Sequence, residues 1–164
     1  MFTFFKDFYA KIISFGSVLE PFLLLAMRLF WGGTLMLGGW NKLHHIADTS
    51  NYFASLNIPF PLINAYLVGG IECGGGFCLL VGFLSQLAAI PVICVMLGAL
   101  MTAHRPAVLN ALENPQNLII QSPFNYLLTA LIILAIGPGI ISLDYLLGKL
   151  TGSSPKAAPP KPKP

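Results

Sequence analysis

The chain has 164 residues, of which 55% are hydrophobic and only 9% charged, with a formal net charge of +3. Soluble domains carry roughly 25% charged residues, so this deficit, together with a mean hydropathy of +0.76, excludes an ordinary water-soluble domain. No cluster of Lys and Arg interleaved with aromatics is present, which excludes a nucleic-acid surface.

In chain order, residues 1–16 are rich in aromatics and interrupted by Lys6, Asp7 and Lys11. No small-residue cleavage site follows the first apolar run, so a signal peptide is not expected. As a helix, Phe4, Phe5, Phe8 and Ile12 share one face, which predicts a short helix lying in the membrane interface over residues 1–21; a frayed start to the first span is the alternative. Four apolar blocks follow, each close to the length of about 20 residues that a helix needs to cross a bilayer core. They cover residues 22–40, with Arg28 inside; 62–83, with Glu72 inside; 86–103, with Pro91 and no charge; and 124–147, where Gly137-Pro138-Gly139 ends the regular helix. Pro and Gly at these positions are tolerated in lipid, where neighbouring helices satisfy the freed backbone groups.

Residues 41–61 read as a polar connection with a turn at Asp48-Thr49-Ser50-Asn51, the second and third spans form a tight hairpin around Leu84-Ser85, and residues 104–122 form a longer polar loop. The predicted organisation is an all-α, four-transmembrane-helix bundle over residues 22–150, preceded by the interfacial segment and followed by a disordered Pro- and Lys-rich tail over 151–164. The ends carry Lys6, Lys11, Lys149, Lys156, Lys161 and Lys163, whereas the opposite side carries Lys42 and Arg105. The positive-inside rule therefore places both termini in the cytoplasm and makes the tail cytoplasmic.

Cys73, Cys78 and Cys94 form no Cys-x-x-Cys pair, and residues five apart on a helix point about 140° away from each other. That disfavours a disulfide between the first two, and small packing residues are the plainer reading. Arg28 and Glu72 are more informative. A charge inside a membrane helix costs at least ~2.5–3.5 kcal/mol and normally finds a partner facing the bundle. With a straight helix rise the two lie roughly 6 Å apart along the bundle axis, so they are expected to pair. Such a pair is either a fixed salt bridge locking two helices or a site where a proton, a quinone or another headgroup engages Glu72.

Gly32, Gly33, Gly38 and Gly39 line the first span, and Gly69, Gly70, Gly74, Gly75 and Gly76 the second. Small residues four apart, as Gly70 and Gly74 are and as Gly69 and Cys73 are, let backbones approach closely; a cavity opened by missing side chains is the other outcome. Arg28, Gly32, Gly39 and Lys42 fall along one stripe. Lys42 and His104 end spans one and three on the same outer side. They are either a snorkelling lysine and a polar helix end, or an outer mouth, with His44 and His45, that meets a substrate. Adjacent histidines point in different directions and no third ligand stands at helical spacing, so no metal site is expected. Bis-histidine haem ligation, a phosphate loop and a nucleophile motif are all absent from the sequence.

Taken in order, these motifs resemble the DoxX family. Arg28-Leu29-Phe30 with Gly32, then Gly38 through Lys42-Leu43, is similar to its opening. Leu56-Asn57-Ile58-Pro59-Phe60-Pro61 is similar to its lead-in to the second span, and Glu72 with Gly74-Gly75-Gly76 and Leu79-Leu80-Val81-Gly82 to its Glu-x-x-Gly-Gly core. Leu87-Ala88-Ala89, Met96, Met101 and Ala103-His104 resemble its third helix, and Gly137-Pro138-Gly139 with Ser142-Leu143-Asp144 its closing motif, so the resemblance covers about residues 22–147. Ser85-Gln86 stands where family members often carry Thr-Arg, which removes one cytoplasmic charge. The resemblance implies a multi-pass protein of the bacterial inner membrane, grouped with membrane subunits of quinone-linked or thiol-linked oxidoreductases. On that expectation Glu72 relays a proton, Arg28 tunes it, and Lys42 and His104 bind substrate. A quinone is the implied ligand, with no covalently bound cofactor, and the electrons come from a partner oxidoreductase subunit. Lipid is the other partner, and homo-oligomerisation stays open. The competing expectation is a non-catalytic scaffold or small-molecule carrier whose Arg28–Glu72 pair is structural.

Overall fold

The computed structural model describes residues 2–152, and every described element is helical. The tail expected at 151–164 therefore lies, beyond Gly152, outside the described residues. The first helix, α1 (Phe2–Met27), passes through one π-helical turn (Arg28–Gly32) into α2 (Gly33–His44). Residues 2–21 are thus not a separate helix; they continue through the rest of α1 without a break. In the π turn the Thr34 hydroxyl donates to the Phe30 and Trp31 carbonyls at 2.8 and 3.2 Å, taking up backbone acceptors in a stretch where the usual ladder is loosened.

The connection after His44 is helical rather than a turn. Helix α3 (Ile46–Ser55) contains the Asp48–Asn51 stretch because its apolar face has somewhere to go: Phe53 is buried and α3 packs along the next helix, α4 (Pro61–Val81). Proline in its first turn is the natural start for α4, where that N–H has no helical partner anyway. Its end is Gly82, whose left-handed conformation (φ 73°) lets its N–H reach the Cys78 carbonyl at 2.9 Å. Two residues later α5 (Ser85–Met101) begins, so the tight hairpin read from Leu84-Ser85 is present. Two five-residue helices, α6 (Arg105–Leu109) and α7 (Pro115–Ile119), occupy the long polar loop. Helix α8 (Ser122–Ile136) stops at Gly137, as its Gly-Pro-Gly sequence requires, and α9 (Leu143–Thr151) follows.

By length and composition, two of these helices suffice to cross a membrane: Ile12–His44, 33 residues, and Pro61–Val81, 21 residues. Ser85–Met101 and Ser122–Ile136 are apolar but shorter. The core is a thread of small and branched side chains, with Leu35, Leu79, Ala89, Val92, Met96, Ala130 and Ile133 buried together. Around it α2 pairs with α4, and α5 with α8.

The α2–α4 pairing is a backbone-to-backbone seam, and of the two small pairs spaced four apart it uses Gly69 and Cys73, which lie against Gly39, and not Gly70 and Gly74. A Cβ on Gly39 would fall 2.8 Å from the Glu72 Cβ, and one on Gly76 would fall 2.8 Å from the Met36 Cα. Gly70 and Gly74, four apart, face open space with nothing within 4 Å. Overpacking a closed contact typically costs about 1–3 kcal/mol, whereas alanine at an open helical position gains propensity. Gly76→Ala is therefore expected to lower the melting temperature of the detergent-solubilised protein by several degrees, and Gly70→Ala to leave it unchanged or slightly raised. Equal melting of the two variants would contradict the seam.

Candidate functional site

Two polar centres interrupt the apolar bundle, one at each end of the α2–α4 seam. The first sits where α2 finishes. Lys42 lies one turn beyond Gly39, so the contact that brings Gly39 onto Glu72 and Cys73 also delivers the Lys42 side chain to α4. Its Nζ donates to Glu72 Oε2 at 2.5 Å. Glu72 is 7% exposed, while the Lys42 side chain keeps 34% of its surface and faces a cavity of about 440 Å³. His45, Asp48, Thr49 and Tyr52 line the same cavity. Thr49 ties its wall together, its hydroxyl donating to the Lys42 and His45 carbonyls at 3.3 and 3.0 Å. A buried carboxylate with an ammonium at the edge of an open, partly polar cleft can hold or pass a proton and can orient a polar headgroup. Glu72 itself does not line the cavity, and between α2 and α4 the seam is closed.

Arg28 forms the second centre and does not pair with Glu72. It is 2% exposed and spends its guanidinium on backbone. Nε donates to the Leu79 carbonyl at 2.8 Å, Nη1 to Pro138 at 2.9 Å and Ile141 at 2.7 Å, and Nη2 to Leu80 at 3.1 Å. The physical reason is register. Gly39 sits against Glu72 and Gly32 against Leu80, so Arg28 meets the last turn of α4, about 10 Å beyond Glu72 at 1.5 Å per residue. Carbonyls at a helix C-terminus have no helical donors and carry the negative end of its dipole, which makes them natural partners for a cation. Beside them, the Asp144 carboxylate accepts from the Leu84 and Ser85 N–H groups at 2.7 and 3.0 Å, capping α5, while its own N–H donates to the Gly82 carbonyl at 2.8 Å. One knot thus joins the π turn, the α4–α5 hairpin and the α8–α9 junction.

The expected outer mouth is not assembled as a unit. His45 borders the Lys42 cavity, but His44 turns away to stack on Trp40, with ring centroids 4.4 Å apart. His104 lines a different hollow of about 280 Å³ with Asn110, Asn117 and Gln121, and that hollow shares no residue with the Lys42 cavity. Among the described residues no group of three His, Cys, Asp or Glu is placed to hold a metal ion. Sequence reasoning missed the Lys42–Glu72 partnership, although it had put Arg28, Gly32, Gly39 and Lys42 on one stripe, and all four do face α4. Asp144 as the cap of α5 had no local signal, since the two lie some 60 positions apart.

Among the described residues, large apolar side chains are exposed along the long helices and the two buried charged residues, Arg28 and Glu72, are each met by another group, which defines an integral membrane protein. The DoxX family model matches residues 23–105, and the chain belongs to the DoxX family. It is similar to the inner membrane protein YqjF of Escherichia coli (strain K12), 27% identical over 133 residues that cover 80% of this chain and 96% of the relative. It is also similar to the inner membrane protein YphA of the same organism, 28% identical over 135 residues, 82% of this chain and 96% of that one. No solved structure matches the chain.

Proposed function

We propose that the chain is a four-span protein of the bacterial inner membrane, with both termini cytoplasmic. It acts there as the membrane subunit of a quinone-linked or thiol-linked oxidoreductase system. The apolar helices Ser85–Met101 and Ser122–Ile136 supply the third and fourth spans, the Lys and Arg distribution supports the orientation, and the relatives support the membrane.

One observation carries the functional part: a nearly buried carboxylate ion-paired to a lysine whose other side opens on a cleft. Reduction of a quinone to a quinol consumes two electrons and two protons. The electrons would come from a reduced flavin or a dithiol on a partner subunit. Lys42 would donate its hydrogen bond, then a proton, to one quinone oxygen, and water in the cleft would protonate the other. Glu72 would hold the lysine in place, and cleft water would restore the proton. Arg28 then belongs to the architecture, not to the chemistry, and His104 is outside the site.

The test is binding of a short-chain benzoquinone to the protein in nanodiscs, read by quenching of Trp40, which is exposed one turn from His44. A hydrogen bond from a charged donor contributes about 1.5–3 kcal/mol. Lys42→Met is therefore expected to weaken binding by about ten- to a hundredfold. Unchanged affinity in that variant would remove the quinone reading. The scaffold reading draws on a different observation, the close backbone contacts of Gly32, Gly39 and Gly76 across the α2–α4 seam.

A further inference from the structure

Residues 8–22 of α1 carry a patterned apolar face whose described large side chains are exposed. Among the described side chains of α1, Leu24 is the first that is fully buried, and it lies against Gly139. From Leu24 to His44 is 21 residues, the same as α4 (Pro61–Val81), or about 31 Å at 1.5 Å per residue, one bilayer core. The helix before Leu24 therefore runs past the end of the bundle. Its large side chains at Phe8, Ile12, Phe15, Leu19 and Phe22 are between 43% and 70% exposed, and Gly16 has nothing within 4 Å of where a Cβ would stand.

Those five residues are spaced 4, 3, 4 and 3 apart, the a and d positions of a heptad repeat, and the sequence carries Phe5 one step earlier in the same series. On the same helix Ser14, Ser17 and Glu20 fall at c, f and b, away from the seam, with Ile13 as the apolar exception. A sustained 3.5-residue apolar repeat with polar residues opposite is the pattern of one helix packing along another.

We propose that this arm is a self-association helix, and that its partner is the same arm of a second copy of the chain, parallel and in register. Two copies inserted the same way in one membrane present their arms side by side at the same height, which is the geometry an a/d seam needs. The area is adequate. A large aromatic or aliphatic side chain offers about 150–250 Å², so the five seam residues at this exposure contribute roughly 500 Å² per copy. Tyr9, Val18 and Leu23, exposed at flanking e and g positions, take the pair past the roughly 1,000 Å² that a specific interface needs.

The experiment uses the full chain in membrane vesicles, with Cys73, Cys78 and Cys94 replaced by alanine and one new cysteine placed in turn at each position from 12 to 22. Oxidation with copper phenanthroline should give severalfold more disulfide dimer at Ile12→Cys, Phe15→Cys, Leu19→Cys and Phe22→Cys than at Ser14→Cys, Ser17→Cys and Glu20→Cys. The combination Phe15→Glu with Leu19→Glu should abolish dimer at Phe22→Cys while the bundle melts unchanged, since both side chains are exposed. Uniform cross-linking, or none, overturns the proposal. So does strong quenching of Phe15→Trp by lipids brominated on their acyl chains, which would mean that lipid covers the seam.

Discussion

Arg28→Ala is expected to be the most damaging single substitution in this chain, lowering stability by about 4 kcal/mol. The residue donates to four backbone carbonyls, two at the end of α4 and two in the α8–α9 junction, and alanine leaves all four without that donor. Hydrogen bonds from a charged group contribute about 1.5–3 kcal/mol each, but the simple sum overstates the loss. The Pro138 and Ile141 carbonyls lie in a non-helical junction that can relax, so the cost falls nearer the 3–5 kcal/mol seen when a buried charge contact is broken. Arg28→Met should be as harmful as alanine, because it restores volume without donors. Arg28→Lys should recover about half, having three donors on one point charge instead of a planar fork. Thermal unfolding in detergent, together with protein level in membranes, reads all three. Wild-type melting of Arg28→Ala would show that the knot contributes nothing.

Much of this architecture is legible in the sequence because it depends on local chemistry. The four apolar blocks, the hairpin at Leu84-Ser85 and the stop at Gly137 each follow from composition or, at Gly137 (φ 92°), from a backbone conformation that glycine suits best. The stripe of Arg28, Gly32, Gly39 and Lys42 follows from helical period alone. How far one helix is slid along another is a tertiary quantity, and no spacing within a helix contains it. Counting rise from each span end set Arg28 within about 6 Å of Glu72 along the axis; the fit of Gly39 against Glu72 and of Gly32 against Leu80 brings Lys42 to it instead. For the same reason Gly70 and Gly74 looked like a packing motif while facing open space. Helix α3 was hidden because Asp48-Thr49-Ser50-Asn51 has turn composition, and only the burial of Phe53 on α4 makes a helix the better solution.

The second large effect is expected at the other end of the seam, and there the pattern across three variants matters more than any one of them. Lys42→Met leaves the Glu72 carboxylate almost fully enclosed with no cation beside it. Removing one partner of a buried pair costs about 3–5 kcal/mol, and the lower figure applies because Lys42 is itself a third exposed. Glu72→Gln should cost about 1 kcal/mol or less, since the freed ammonium can swing into the cleft and keep its water. The double variant should be more stable than Lys42→Met, with a coupling of about 1–2 kcal/mol between contacting residues. This triad of melts also divides the two functional readings when paired with benzoquinone binding. A scaffold needs the pair only to hold α2 on α4, so the double variant would regain stability and there would be no quinone binding to lose in any variant. A proton-handling site needs the charges themselves, so the double variant would regain stability and still fail to bind. Additive melts, with the double variant worse than either single, would mean that Lys42 and Glu72 do not act as a pair at all.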